Sequence, residues 1–78
     1  MNTKRRKNRT YLRIADDLRR RIERGEFRPG DALPSITRIS QEYECADTTA
    51  AKAVNVLKAK GLALDVQGSG TIVAAREA

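Results

Sequence analysis

Apolar residues recur along this chain at two periods, and the change from one to the other separates helices from strands. Tyr11, Ile14, Ala15, Leu18 and Ile22 keep helical spacing and predict an amphipathic helix that starts after Thr10, a good N-cap, and stops at Gly25. Ser35 opens a second, shorter helix over Ile36 to Tyr43, with Ile36, Ile39 and Tyr43 on one stripe. A third runs from Asp47 to Gly61. Ala50, Ala53, Val54 and Leu57 share its packing face, while Thr48, Thr49, Lys52 and Asn55 point elsewhere. Asp47 is placed to accept from a first-turn N–H, Lys58 and Lys60 suit the negative end of the dipole, and Gly61 can take the left-handed stop.

Between the first two helices, Glu26 to Pro34 carries the Pro29-Gly30 turn signal and a second proline that forces Leu33 towards an extended conformation. After Gly61 the period becomes two. Leu62, Leu64 and Val66 point one way and Ala63, Asp65 and Gln67 the other, the pattern of a half-buried strand. Gly68-Ser69-Gly70 permits a tight reversal, and Thr71, Ile72 and Val73 return as a β-branched strand. A phosphate-cradling reading of Gly-Ser-Gly fails, because no helix follows and no lysine sits at P-loop spacing. The expected fold is mainly α with a small β element, three helices and a C-terminal hairpin.

Seventy-eight residues make one small domain with a thin core; on the order of 60% of the unfolded surface would be buried. The domain is expected over residues 10–75, after an arm of residues 1–9 and before a tail of residues 76–78. There is no run of about 18 apolar residues to span a membrane, and the basic start lacks a signal peptide's apolar segment, so a cytoplasmic, nucleoid-associated protein is expected. A single cysteine, Cys45, fits a reducing compartment and a small core position. With no histidine and scattered carboxylates, neither a metal site nor a nucleophile can be assembled, so no cofactor and no enzyme activity are expected. Tyr11, Phe27 and Tyr43 are expected at the core or its edge.

Charge sharpens the picture. Net charge is +6, yet Lys4, Arg5, Arg6, Lys7 and Arg9 supply five cations with no acid among residues 1–9, leaving 11 basic and 10 acidic groups beyond. Such an arm should be disordered alone and attracted to a polyanion by counterion release, or else serve as a solubilising tail. The arginines of the first helix are read mainly as a paired, solvated face, with Asp16 four residues before Arg20 and Asp17 four before Arg21.

Two helices joined by Glu44, Cys45 and Ala46, the second opening on small polar residues, form a helix-turn-helix arrangement, although spacing alone also fits an ordinary pair of core helices. The run from Tyr11 to Ser35, the Thr48-Thr49 to Leu62 segment and Gln67 to Val73, with Pro29-Gly30-Asp31-x-Leu33-Pro34-Ser35 and Gly68-x-Gly70-Thr71-x-Val73 as the strongest pieces, resemble the winged helix-turn-helix domain of the GntR family of bacterial transcription regulators. The resemblance covers about Tyr11 to Ala74. It implies a third helix in the major groove of double-stranded DNA, a hairpin wing at the adjacent minor groove, and sequence-specific regulation, with repression expected.

Transferred residue by residue, the resemblance places Ser35, Thr48, Thr49, Gly68, Ser69, Gly70 and Thr71 in family slots at the DNA, with Gln67 beside them at the wing. Thr37, Asp47 and Ala51 stand where the family usually has arginine. Arg38 and Lys52 could supply shifted contacts, and the arm could restore affinity. Asp47 could accept from a cytosine amine or simply cap its helix, since Ala46 holds the usual capping slot. A homodimer on DNA is conceivable, but no dimer surface is legible and no small-molecule effector site is expected within the chain. Two other classes remain: a protein-interaction module on the winged scaffold, and a nonspecific DNA binder driven by the arm.

Overall fold

The computed structural model describes residues 10–68 and 70–74. The readings at Lys4, Arg5, Arg6, Lys7, Arg9 and Ser69, and the boundary of the tail, lie outside those residues. Three helices, α1 (Tyr11–Glu23), α2 (Ile36–Tyr43) and α3 (Asp47–Ala59), are followed by an antiparallel hairpin of β1 (Ala63–Val66) and β2 (Gly70–Val73). This is a winged helix.

The caps of α1 and α2 are those the sequence specifies. Thr10 accepts from the Arg13 N–H at 3.3 Å, and Ser35 Oγ from the Arg38 N–H at 3.1 Å, each satisfying a first-turn donor that has no partner within its helix. The apolar stripes then meet in one core: Ile14, Leu18, Ile39, Ala50, Ala53 and Leu57 are fully buried. Each large aliphatic side chain contributes about 1.5–3 kcal/mol by leaving water. Alanines at 50 and 53 keep α3 thin where α1 and α2 press against it.

Four expectations need correction. Asp47 does not cap α3; Ala46 occupies the cap without a side-chain bond, and Asp47 is the first helical residue with its carboxylate exposed. Arg21 does not pair with Asp17. It reaches Glu26 at 2.8 Å and Glu42 at 3.3 Å, because its side chain turns beneath Phe27 towards the connector and α2, while Asp17 accepts from the Tyr43 hydroxyl. Tyr11 ends the α1 stripe at the surface, 38% exposed, with the Lys52 ammonium of α3 over its ring in place of core side chains.

The strand faces are the fourth correction. Ala63 is buried, whereas Leu64 and Val66 are exposed. Ala63 pairs with Val73, and Asp65 with Thr71, so these four share the side that meets α3, while Leu64 and Ile72 pair on the other. The connector fixes this choice from the far edge of β2. Gly30 N–H donates to Val73 O, Val73 N–H to Asp31 O and Leu33 N–H to Thr71 O, holding Val73 in the core, with a further bridge between Ala32 and Ile72.

Candidate nucleic-acid interface

A turn of three residues aims α3. Glu44 closes α2 in the left-handed region at φ 56°, its N–H donating to the last carbonyls of that helix, and Cys45 N–H donates to Ser40 O at 2.9 Å. Two residues later α3 begins. With Ala50, Ala53, Val54 and Leu57 buried, α3 turns its other side outward, and Thr48, Lys52 and Asn55 line that side at spacings of four and three. Thr49 and Ala51 are half-buried at its margin. Asn55 extends the exposed row by one turn beyond the residues singled out from sequence; its spacing from Thr48 was the available signal.

The charges around this row are sparse. Arg38 is exposed on the first turn of α2, beside Ser35 and Thr37, and its guanidinium has no partner among the described residues. Lys52 Nζ lies 5.8 Å from the centre of the Tyr11 ring, a cation–π contact that holds the ammonium near the start of α1. Asp47 adds one exposed negative charge at the positive end of the α3 dipole. The start of α1 therefore lies next to Lys52.

On the wing, Gln67 and Gly68 are exposed, and Gly68 and Gly70 adopt φ of 87° and 79°, values that glycine reaches without strain and that let the chain reverse. Thr71 is half-buried, and its hydroxyl donates to the exposed Asp65 carboxylate at 3.0 Å, so it is engaged within the wing. Asp65 also pairs with Lys58 Nζ at 2.8 Å, and both contacts hold its carboxyl below the usual range, the lysine foremost. Neither Asp65 nor Lys58 was among the site residues expected from sequence. Their cross-element pairing has no local spacing that would reveal it.

Thus the candidate residues fall into three groups: Asp47, Thr48, Thr49 and Lys52 on α3, Ser35 and Arg38 at the start of α2, and Gln67, Gly68, Gly70 and Thr71 on the wing. Among the described residues no group of three or more His, Cys, Asp or Glu side chains could hold a metal, and no helix is long and apolar enough to cross a membrane.

Comparison with known proteins decides the family. The model for bacterial regulatory proteins of the gntR family matches residues 10–73, which is the whole winged helix. The chain belongs to the GntR family. Its curated relatives include the mannosyl-D-glycerate transport/metabolism system repressor MngR of Escherichia coli K12, 40% identical over 63 residues, 81% of this chain and 26% of the relative. The HTH-type regulator YydK of Bacillus subtilis 168 is 32% identical over 63 residues, again 81% of this chain and 27% of the relative. The chain thus spans about a quarter of the length of these relatives.

Among solved structures, a GntR-family transcriptional regulator superposes with a TM-score of 0.81 at 46% identity, covering 87% of this chain and 27% of the other. The DNA-binding domain of AraR, solved in complex with its operator ORR3, gives a TM-score of 0.77 at 30% identity, covering 82% of this chain and 77% of that one. The GntR family is one of DNA-binding transcription regulators and not of enzymes.

Proposed function

We propose that this GntR unit binds double-stranded DNA in a sequence-specific way and represses transcription from the site it occupies. The observation that carries the reading is its likeness, over four-fifths of its length, to a domain solved on operator DNA, joined to an α3 whose buried stripe leaves Thr48, Lys52 and Asn55 outward. In this reading α3 enters the major groove. Thr48, Thr49 and Lys52 meet base edges and phosphates, and Asp47 stands at the first base reached. Ser35 and Arg38 hold the backbone at the start of α2, and the wing tip from Gln67 to Thr71 lies at the minor groove. Lys4, Arg5, Arg6, Lys7 and Arg9 follow phosphates from the start of α1, supplying affinity that Thr37, Asp47 and Ala51 do not.

Repression follows from occupancy, and MngR, a named repressor, supports that sense of regulation. A palindromic operator would take two copies, each α3 in successive major grooves. No effector pocket is assigned to this unit: the groove beside Arg21, Phe27, Pro34 and Arg38 is wide open, and Arg21 within it is already held by Glu26 and Glu42. The working place of such a protein is the nucleoid.

The test is selection from random duplexes across a salt titration, for the chain and for a variant with all five arm cations replaced by glutamine. Enrichment of one motif by both, with a shallower salt slope for the variant, supports base readout by α3 and the wing. Binding without enrichment that disappears with the arm charges identifies a nonspecific binder, and absence of binding at low salt points to protein interaction instead.

A further inference from the structure

The wing has little to hold its outer half. A two-stranded hairpin is marginal alone, and only its inner rung, Ala63 and Val73, is buried in the core. The connector grips one edge of β2 as far as Thr71, while β1 beyond Ala63 is exposed at every position. One polar contact crosses from α3 to this outer half among the described residues. Asp65 accepts from Lys58 Nζ through one carboxylate oxygen at 2.8 Å and from Thr71 Oγ1 through the other at 3.0 Å. The carboxylate therefore joins β1, β2 and the C-terminal part of α3 at the third of the hairpin's four rungs, one short of the tip. It also occupies Lys58, a cation that would otherwise be available to phosphate.

We propose that Asp65 is a positioning residue for DNA recognition: through Lys58 and Thr71 it fixes the angle between the wing and α3, and so the relation between the two grooves that the protein reads. The inference rests on the DNA-binding proposal above for its consequence and on the side-chain geometry alone for the latch. An acidic residue on a DNA-facing wing is costly as a free charge, whereas paired with Lys58 it keeps α3 and the wing in one orientation before DNA arrives, which lowers the ordering cost of binding. The Lys58 and Thr71 contacts hold the Asp65 carboxyl below the usual carboxylate range.

Three variants separate positioning from general stability. Asp65→Asn breaks the latch and releases Lys58; Lys58→Gln breaks it and removes the cation; Lys58→Arg should keep it. Residual dipolar couplings of the wing amides Val66, Gln67 and Gly68 against those of α3, in the full chain without DNA, read the angle directly. Both breaking variants should lose the single wild-type orientation and Lys58→Arg should retain it. On DNA, both should lower discrimination at the base pairs beneath the wing by about fivefold to tenfold, with preference under α3 unchanged. Only Asp65→Asn should steepen the salt slope, by about one ion. Couplings that fit the wild-type orientation in both breaking variants overturn the latch, even if DNA is bound normally. Altered couplings with unchanged discrimination overturn the recognition role. A wild-type chain that binds no DNA while the couplings change defeats the DNA reading and leaves the latch standing.

Discussion

The Tyr43 hydroxyl donates to Asp17 and accepts from Arg21 Nη1 at 3.0 Å, tying the end of α2 to the middle of α1. Burial pushes the phenol up to about 12, and Asp17 adds to the shift, so the donor stays protonated through the physiological range. Tyr43→Phe should lower stability by about 1 kcal/mol, which thermal denaturation would register as a fall of about 4–8 °C. The phenol's folded value is raised above its ordinary value near 10, so its contribution is complete below that pH and is lost as pH rises towards 12. The wild type should therefore lose stability across that window more steeply than Tyr43→Phe, a difference that paired melts at pH 9 and 11.5 would expose.

Ala53 has no exposed surface and lies on the face of α3 that packs into the core. Interiors are packed tightly enough that added methylenes must displace neighbours or leave rotamer wells. Ala53→Leu should cost about 1–3 kcal/mol despite a greater apolar surface, whereas Ala59→Leu, at an exposed position of the same helix, should change stability by less than about 0.5 kcal/mol. Urea titration of both variants checks the contrast. An Ala53→Leu protein as stable as the wild type would mean that α3 is not tightly seated.

The helices were legible because each carries its signal locally: Thr10 and Ser35 cap by their own side chains, and Ile14, Leu18, Ile39 and Leu57 repeat at the helical period. The hairpin was legible in place but not in orientation. Alternation says which residues share a face, and Leu62, Leu64 and Val66 outweigh Ala63 in hydrophobicity, yet the backbone pairing of Gly30, Asp31 and Leu33 with β2 settles which face meets α3. Those partners are some forty residues away and have no alternation of their own. The candidate DNA residues came from local pattern and family motif, whereas Asp65, Lys58 and the partners of Arg21 depend on tertiary approach, which spacing along one helix cannot express. Asp47 failed as a cap for a simpler reason: the helix begins one residue earlier than a capping role requires.

Acid should loosen the surface network before the core fails. Asp16, Glu26 and Asp65 are all held below their ordinary carboxyl values, by hydrogen bonds from Arg19, Arg21 and Lys58 respectively. A depressed folded value contributes stability above the unfolded value, near 3.8 for aspartate and 4.5 for glutamate, and loses it as pH falls further. Stability should hold from neutrality to about pH 5 and then decline through pH 3. Because these groups are exposed, added salt should weaken the effect by screening. Equilibrium unfolding from pH 7 to 2.5, at low salt and at 1 M, would show a steeper acid limb at low salt; identical limbs would assign acid loss to groups other than these pairs.

Asp47 is the residue on which affinity and specificity should part. Its carboxylate is exposed at the start of α3, where it interacts favourably with the helix dipole but opposes an approaching phosphate. Asp47→Ala should cost about 0.3–1 kcal/mol of stability while strengthening binding to random duplexes, since about 1 kcal/mol of like-charge repulsion disappears. If Asp47 accepts from a cytosine amine, the same change should remove about 1–3 kcal/mol of preference at one base position. The two effects have different signatures in one experiment. Binding isotherms on a preferred duplex and on single-position variants of it would show a uniform gain with an unchanged base preference if the carboxylate only repels, and a loss confined to the cytosine position if it reads the base.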